Sequence, residues 1–359
     1  MPHPNKAISG RGATTNRTST RFNTLEREPD GDFLDYRALW EGRAERPKTT
    51  VTIEHPKTII SYNSSPDIGF DRSINTVRGC EHGCIYCFAR PSHAWHDLSP
   101  GLDFETKLFA KPDAALLLRA ELMKPGYRAA PLAMGTNTDP YQPIERDWRI
   151  TRQCIEVLAE CRHPLFLTTK SDRLLRDIDL LARMAKEEIV AVTLSITTLD
   201  PRIARTLEPR APHPERRIAA VRALSEAGIA VHVNIAPVIP AITDHEMDAI
   251  IARVTQAGAT GASFIPVRLP HEVAPLFRAW LDAHYPDRAA KVMAIIRDLR
   301  GGRDNDPRYH DRMKGQGVWA DLLRTRFRVA VARHGLPQSR PRLRSDLFRP
   351  PDGPQYSLF

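Results

Sequence analysis

The chain has 359 residues, 42% of them hydrophobic, and 52 lysines and arginines against 43 aspartates and glutamates give a formal net charge of +9. That length can bury a sizeable core, and no run approaches the roughly 18 consecutive apolar residues of a membrane span. The opening Met1-Pro2-His3-Pro4-Asn5-Lys6 lacks the apolar stretch of a secretory signal, so a cytoplasmic protein is expected, where thiols stay reduced. The basic balance favours a polyanionic partner, although a solvated arginine-rich surface accounts for it as well.

Residues 1–48 are polar, mixed in charge and without an apolar period, which predicts a disordered basic arm. Thr50 to Tyr62 alternates and is rich in β-branched residues, as an extended lead-in strand would be. Ser73 to Val77 reads as the first core strand. Helix and strand then alternate: helix from Pro112 to Lys124, strand from Pro131 to Gly135, helix from Glu145 to Glu160, strand from Leu165 to Thr169, helix from Asp172 to Lys186. The series continues with a strand from Ile189 to Ile196, a helix from Pro214 to Ala227 closed by Gly228, a strand from Val231 to Val238, a helix from His245 to Gln256 and a strand from Ala262 to Val267.

Six strands, each followed by a helix or long loop, imply an α/β fold with a parallel sheet and right-handed crossovers. Periodicity fits an open doubly wound sheet and a curved partial barrel equally well, and in both the ligands belong at the C-terminal strand ends. Cys80, Asn137, Lys170, Ser195 and Asn234 fall at or near those ends. These residues make 49–270 the core domain. Residues 271–336 read as a small helical C-terminal extension whose Arg324, Arg326, Arg328 and Arg333 suit phosphate contacts or a plain basic face. A flexible Pro/Arg-rich tail is expected over 337–359.

Three of the five cysteines, Cys80, Cys84 and Cys87, lie within Arg78-Gly79-Cys80-Glu81-His82-Gly83-Cys84-Ile85-Tyr86-Cys87-Phe88-Ala89, spaced C-x3-C-x2-C. Packing does not call for three thiols on one short loop; a metal or redox chemistry does. Three thiolates fall one short of a structural zinc site. They can hold three irons of a cubane cluster and leave the fourth open to a ligand. Gly79 and Gly83 allow the backbone to fold tightly around such a cluster. A zinc site completed by His82 or His93 is the competing reading. Cys154 and Cys161 read as buried small residues.

The C-x3-C-x-aromatic-C loop, with Tyr86 as the aromatic, resembles the signature of the radical S-adenosylmethionine (SAM) superfamily. The wider stretch from Asn75 to Pro91, with Gly135-Thr136-Asn137-Thr138-Asp139-Pro140-Tyr141 and Thr168-Thr169-Lys170-Ser171, resembles the subgroup related to spore photoproduct lyase. The resemblance implies a partial (β/α)6 TIM-like barrel, a [4Fe-4S] cluster on Cys80, Cys84 and Cys87, and reductive cleavage of SAM to a 5′-deoxyadenosyl radical. It implies that Tyr86 lies near adenine and that Gly135, Thr136 and Asn137 meet the SAM amino group. It further implies Lys170 and Arg210 (in Glu208-Pro209-Arg210) at the SAM carboxylate, Ser195 at the ribose, and Val238 with Ile239 as an adenine shelf. A low-potential donor such as flavodoxin or ferredoxin is implied as electron source.

The resemblance points to DNA repair or modification, on DNA or RNA. The lyase, however, uses a cysteine hydrogen donor on the strand before the acidic segment, and Ala133-Met134-Gly135-Thr136-Asn137-Thr138-Asp139 has none. Photoproduct reversal is therefore not expected; Tyr141 is the alternative donor. Action on a peptide or small molecule, or a non-catalytic metal-binding nucleic-acid adaptor, are the rival functions. The terminal Gln355-Tyr356-Ser357-Leu358-Phe359 resembles the peptide by which bacterial repair proteins bind the sliding clamp, with Gln355, Leu358 and Phe359 as its contacts.

Overall fold

The computed structural model describes residues 8, 10–17, 19, 21, 47–338 and 341–351. Its strands are, in chain order, β1 (Thr50–Ile53), β2 (Ile60–Tyr62), β3 (Arg72–Ile74), β4 (Val77–Arg78), β5 (Lys107–Ala110), β6 (Leu132–Met134), β7 (Leu165–Thr169), β8 (Val190–Ser195), β9 (Val231–Val238) and β10 (Gly261–Pro266). The main sheet has the order β10-β9-β8-β7-β6-β3-β2. Its six strands from β3 to β10 pair in parallel in sequence order, and β2 adds an antiparallel edge. This is the expected partial (β/α)6 barrel.

Alternation divides the strands into two faces. Leu165, Leu167, Val192, Leu194, Val231, Val233 and Ile235 are buried in the main hydrophobic cluster. Each such side chain contributes about 1.5–3 kcal/mol by leaving water. The opposite face is therefore free to be polar: Thr168, Thr193 and His232 lie in one register row, and Ser195, Asn234 and Ser263 in another. Ser263 donates to Asn234 Oδ1 at 2.5 Å and meets His232 Nε2 at 2.9 Å.

Several expectations need correction. The lead-in from Thr50 to Tyr62 is two strands in two sheets, because Pro56 cannot donate to a ladder. The first core strand stops at Ile74: Asn75 turns its side chain to the loop after β6, and Val77–Arg78 joins β1 and β5 in a small separate sheet. The helix expected from Glu145 to Glu160 breaks at Arg149 (φ 51°), where Glu145 accepts from the Thr151 amide. A helix at Pro201–Leu207 was not expected, although Asp200 before Pro201 is a cap signature: its carboxylate accepts from the Arg202 amide at 2.7 Å.

The C-terminal helices Val273–His284 and Pro286–Leu299 share a second core with the cysteine loop, in which Phe277, Trp280 and Ile296 join Cys84, Ile85 and Tyr86. The arginines of helix Gly317–His334 are partly engaged: Arg324 pairs with Asp321, Arg326 with Asp244 and Arg333 with Asp248. Neither terminal segment is wholly free. Residues 10–17, expected in a disordered arm, pack against the cysteine loop, with Ala13 fully buried. In the tail, Leu343 is buried and the Phe348 ring lies 5.6 Å from Tyr127. Gln355, Leu358 and Phe359 lie outside the described residues. Among those described, no helix is long and apolar enough to cross a membrane.

Candidate active site at the cysteine loop

The loop from Gly79 to Cys87 sits beyond the C-terminal end of β3, where the chain reverses. Gly79 and Gly83 both take positive φ (76° and 67°), and a Cβ on Gly83 would lie 2.8 Å from Glu105 Oε2. Side chains from elsewhere hold the loop's backbone. Gln142 accepts from the Glu81 amide at 2.9 Å and donates to the Gly79 carbonyl at 3.1 Å. The Cys80 amide donates to the Phe104 carbonyl, and the Ile85 amide to that of Leu207.

Arg90, three residues past the last cysteine, is fully buried. It donates to the carbonyls of Cys84, Gly83, Pro100 and Gly101 and pairs with the buried Glu105 at 2.6 Å. Glu105 also accepts from the amides of Gly12 and Ala13 at 3.0 and 2.8 Å.

Burial pushes the Cys80 thiol well up, and Asp139 and the neighbouring cysteines add to the shift. Burial also pushes Cys84 up to about 12, against the opposing pull of Lys170. Such thiols bind as thiolates only to a metal that displaces their protons. The Lys170 ammonium lies 5.8 Å from the Tyr86 ring centre and, among the described residues, has no carboxylate within ion-pair distance. Burial works against its charge, yet Cys84 and Glu208 hold its pKa above the ordinary lysine value.

Beside it, the buried Glu208 accepts from Tyr86 Oη, from Thr197 at 2.7 Å and from Arg217 at 2.5 Å. Burial disfavours this carboxylate, but Arg217, Lys170 and the two hydroxyls outweigh it and hold the pKa at about 2. Arg217 also donates to the Ser195 carbonyl at 3.2 Å. Although they are near neighbours in sequence, Glu208 and Arg210 take different partners: Glu208 meets Arg217, and Arg210 meets Glu81 at 2.8 Å.

Across the strand ends, Gly135 takes φ 90°, and a Cβ there would lie 2.0 Å from the Thr168 carbonyl oxygen, so only glycine fits. Asn75 organises the segment that follows: its side chain donates to Thr136 Oγ1 and accepts from the amides of Asn137 and Thr138 at 3.0 and 3.3 Å. Asp139 links this loop to its neighbours, accepting from Thr169 at 2.6 Å and from the Lys170 amide at 2.7 Å, with His82 Nδ1 at 3.4 Å. Burial opposes its charge, but His82 and these donors hold its pKa at about 2.

Tyr86, Lys170, Glu208 and Ser195 thus lie in one neighbourhood, with Gly135–Asn137 held on an adjoining loop. Two expected residues fall outside. Val238 packs in the main cluster, whereas Ile239 packs with Tyr86. Tyr141 is fully buried, with its hydroxyl on Asp177 at 2.9 Å, in the layer behind the strands; this engaged phenol is not placed as a hydrogen donor. Asn75, Asp139, Arg90 and Arg217 were missed as site residues, because long-range partners define them rather than local pattern.

The donor set suits an iron–sulfur cubane: three thiols on one loop, glycines where the chain turns, and an unpaired ammonium at its side. Among the described residues no three His, Cys, Asp or Glu side chains gather around a single ion; a cubane distributes its thiolates over three irons.

Fold and loop together define a parallel α/β protein with three thiols on one loop at its strand ends. Residues 74–254 match the radical SAM superfamily model, half the chain, and the chain belongs to that superfamily. Its members use a [4Fe-4S] cluster and SAM. Similar sequences include an uncharacterized protein of Mycobacterium tuberculosis, 37% identical over 230 residues (64% of this chain, 68% of the relative). Another is from Methanocaldococcus jannaschii, 32% identical over 173 residues (48% and 62%). Among solved structures, spore photoproduct lyase complexed with dinucleoside spore photoproduct has a TM-score of 0.56 at 17% identity, covering 88% of this chain and 86% of that one. A mutant of the same lyase has a TM-score of 0.58, again at 17% identity with 88% and 86% coverage. Identity at this level establishes a common fold.

Proposed function

We propose that this chain is a cytoplasmic radical SAM enzyme that modifies or repairs nucleic acid, with Cys80, Cys84 and Cys87 as the cluster ligands. The observation that carries the reading is the three-thiol loop at the parallel strand ends beside an unpaired, half-buried Lys170. When bound, the cluster supplies one electron, received from a low-potential donor such as flavodoxin or ferredoxin, to the SAM sulfonium. The protein's part is to bind and orient. Lys170 is positioned to neutralise the SAM carboxylate, and the loop from Gly135 to Asn137 to meet its amino group. The Ser195 hydroxyl suits the ribose, and Tyr86 with Ile239 an apolar wall for adenine. Glu208, held by Arg217, fixes the Tyr86 ring, and Arg210 steadies the loop through Glu81. The basic charge and the likeness to a lyase solved with a dinucleoside lesion support nucleic acid as substrate. The absence of a cysteine over Ala133–Asp139 supports a reaction other than photoproduct reversal.

Anaerobic reconstitution tests this reading. A brown protein is expected, with an iron–sulfur signal that shifts on SAM addition and 5′-deoxyadenosine release stimulated by DNA or RNA. Zinc at one per chain with no SAM cleavage would refute the enzyme, and cleavage indifferent to nucleic acid would refute the substrate. Cys84→Ala should abolish the cluster. Lys170→Ala should leave it formed and weaken SAM about 10- to 100-fold, the worth of a charged hydrogen bond. The terminal Gln355, Leu358 and Phe359 stand as the proposed clamp peptide: a Leu358→Ala/Phe359→Ala variant should fail to retain sliding clamp, and equal retention by wild type and variant refutes it.

A further inference from the structure

At the rim where β10 ends, beside the cysteine loop, lies a group of residues that the SAM site leaves unused. Phe88 follows the last cluster cysteine and is 49% exposed. The Arg268 guanidinium lies 5.8 Å from its ring centre. Arg268 has no carboxylate within ion-pair distance among the described residues. Its Nη1 donates to the Met313 sulfur at 3.1 Å, a weak acceptor, and its buried Nε has no acceptor.

Next to it, Tyr309 is 52% exposed, and the Arg312 guanidinium lies 4.8 Å from its ring centre. Arg312 is neutralised by Asp67 at 2.6 Å. Arg300 is buried behind both, donating only to carbonyls, those of Pro266, Val267, Asp311 and Arg312. It thereby fastens the segment carrying Tyr309, Arg312 and Met313 to the end of β10. Burial, and then Arg268, push the Arg300 pKa down to about 10.

A packing role does not explain this arrangement. The guanidiniums of Arg268 and of the buried Arg300 have no carboxylate within ion-pair distance among the described residues, and each has a buried Nε without an acceptor, a donor left unmade that costs free energy. An anion at the partly exposed Arg268 would supply the missing counter-charge. The exposed rings, each backed by a guanidinium, narrow the kind of anion to one that carries flat, unsaturated groups. A chain of nucleotides with unpaired bases has that chemistry: phosphodiesters for the guanidinium and a π-face at every base. Enzymes acting on a base must take it out of the duplex stack, which creates such a strand locally.

We propose that Arg268, Phe88 and Tyr309 form a nucleotide platform at the rim of the cluster site, with Arg268 on a phosphodiester and the two exposed rings stacked on unpaired bases. The proposal rests on the nucleic-acid reading above and adds the place and form in which the strand is held.

Fluorescence anisotropy of the reconstituted full chain tests it, using 5′-labelled ten-nucleotide single-stranded DNA, single-stranded RNA and duplex DNA over a salt series. Both single strands are expected to bind more tightly than duplex, and the DNA and RNA arms identify the polymer. Arg268→Gln should weaken binding about 5- to 20-fold and reduce the slope of log Kd against log salt by about 0.7, the share of one phosphate contact on a single strand. Arg268→Lys should retain the slope. Phe88→Leu and Tyr309→Leu should each weaken binding at least about 5-fold with the slope unchanged, as lost stacking does. Leu116→Ala, at an exposed apolar position on another helix, is the control. If wild type binds and the three loss variants bind equally well, the platform is overturned and the nucleic-acid reading stands. If wild type binds none of the probes, both fall.

Discussion

Exchange of Arg90 for methionine is expected to remove about 3–5 kcal/mol of stability and to leave a chain that retains little iron. Methionine fills a similar volume but offers none of the five N–H donors. In the native loop every one of those donors is used, two on the carbonyls of Gly83 and Cys84 within the cysteine loop. The larger consequence is electrostatic. Glu105 is fully buried, and without Arg90 its charge rests on two backbone amides and the more distant Arg11 guanidinium. Arg90→Lys should fall between the two, because an ammonium can meet Glu105 but cannot span four carbonyls. Adding Glu105→Gln to Arg90→Met should restore part of the loss by removing the stranded charge, a coupling that a double-mutant cycle reads directly. Chemical denaturation and iron content measure both effects. Wild-type stability and iron in Arg90→Met would show that the loop holds its form without this residue.

The parts of this protein that were legible in the sequence share one property: the signal is local. The spacing Cys80–Cys84–Cys87 is a local statement about a loop, and Leu165–Thr169 and Val231–Val238 emerge with their predicted bounds because period-2 alternation fixes a strand's buried face. What stayed hidden depends on distant partners. Nothing near Glu208 in sequence reveals that Arg217, rather than Arg210, is its counter-ion, because a helix must first fold back to bring them together. Tyr141 illustrates the converse. Its position after the strand suggested a reactive group, yet the phenol turns to Asp177 behind the sheet, a direction that no linear pattern encodes. The polar N-terminal segment misled for a third reason: Gly12 and Ala13 contribute little hydrophobicity, and what holds them is the fit of small residues and two amides to one buried carboxylate.

That segment carries the second large effect, at Gly12. A Cβ built there would lie 1.8 Å from the Gly83 carbonyl oxygen and 3.3 Å from the Ile85 amide nitrogen, both backbone atoms of the cysteine loop. The same Gly83 oxygen accepts from Arg90, so it cannot give way without loosening that contact as well. Gly12→Val is therefore expected to lift residues 10–17 from the loop, costing about 1–3 kcal/mol as overpacking does. It should also open a path for oxygen to the cluster, since Ala13 is fully buried among Cys84, Ile85 and Tyr86. Farther along, the segment is fixed by Asn16 on Asp103 at 3.1 Å and by the Arg17 carbonyl, which accepts from Ser99 at 2.6 Å, so the strain cannot be passed down the chain. The measurement is the rate at which the reconstituted protein bleaches in air. Gly12→Val and a chain lacking residues 1–16 should both bleach faster than wild type, the first through a clash and the second through a missing cover. Gly69→Ala, where a Cβ meets nothing within 4 Å, should bleach as wild type does. Equal rates for Gly12→Val and wild type would mean that the segment rests on the loop without shielding it.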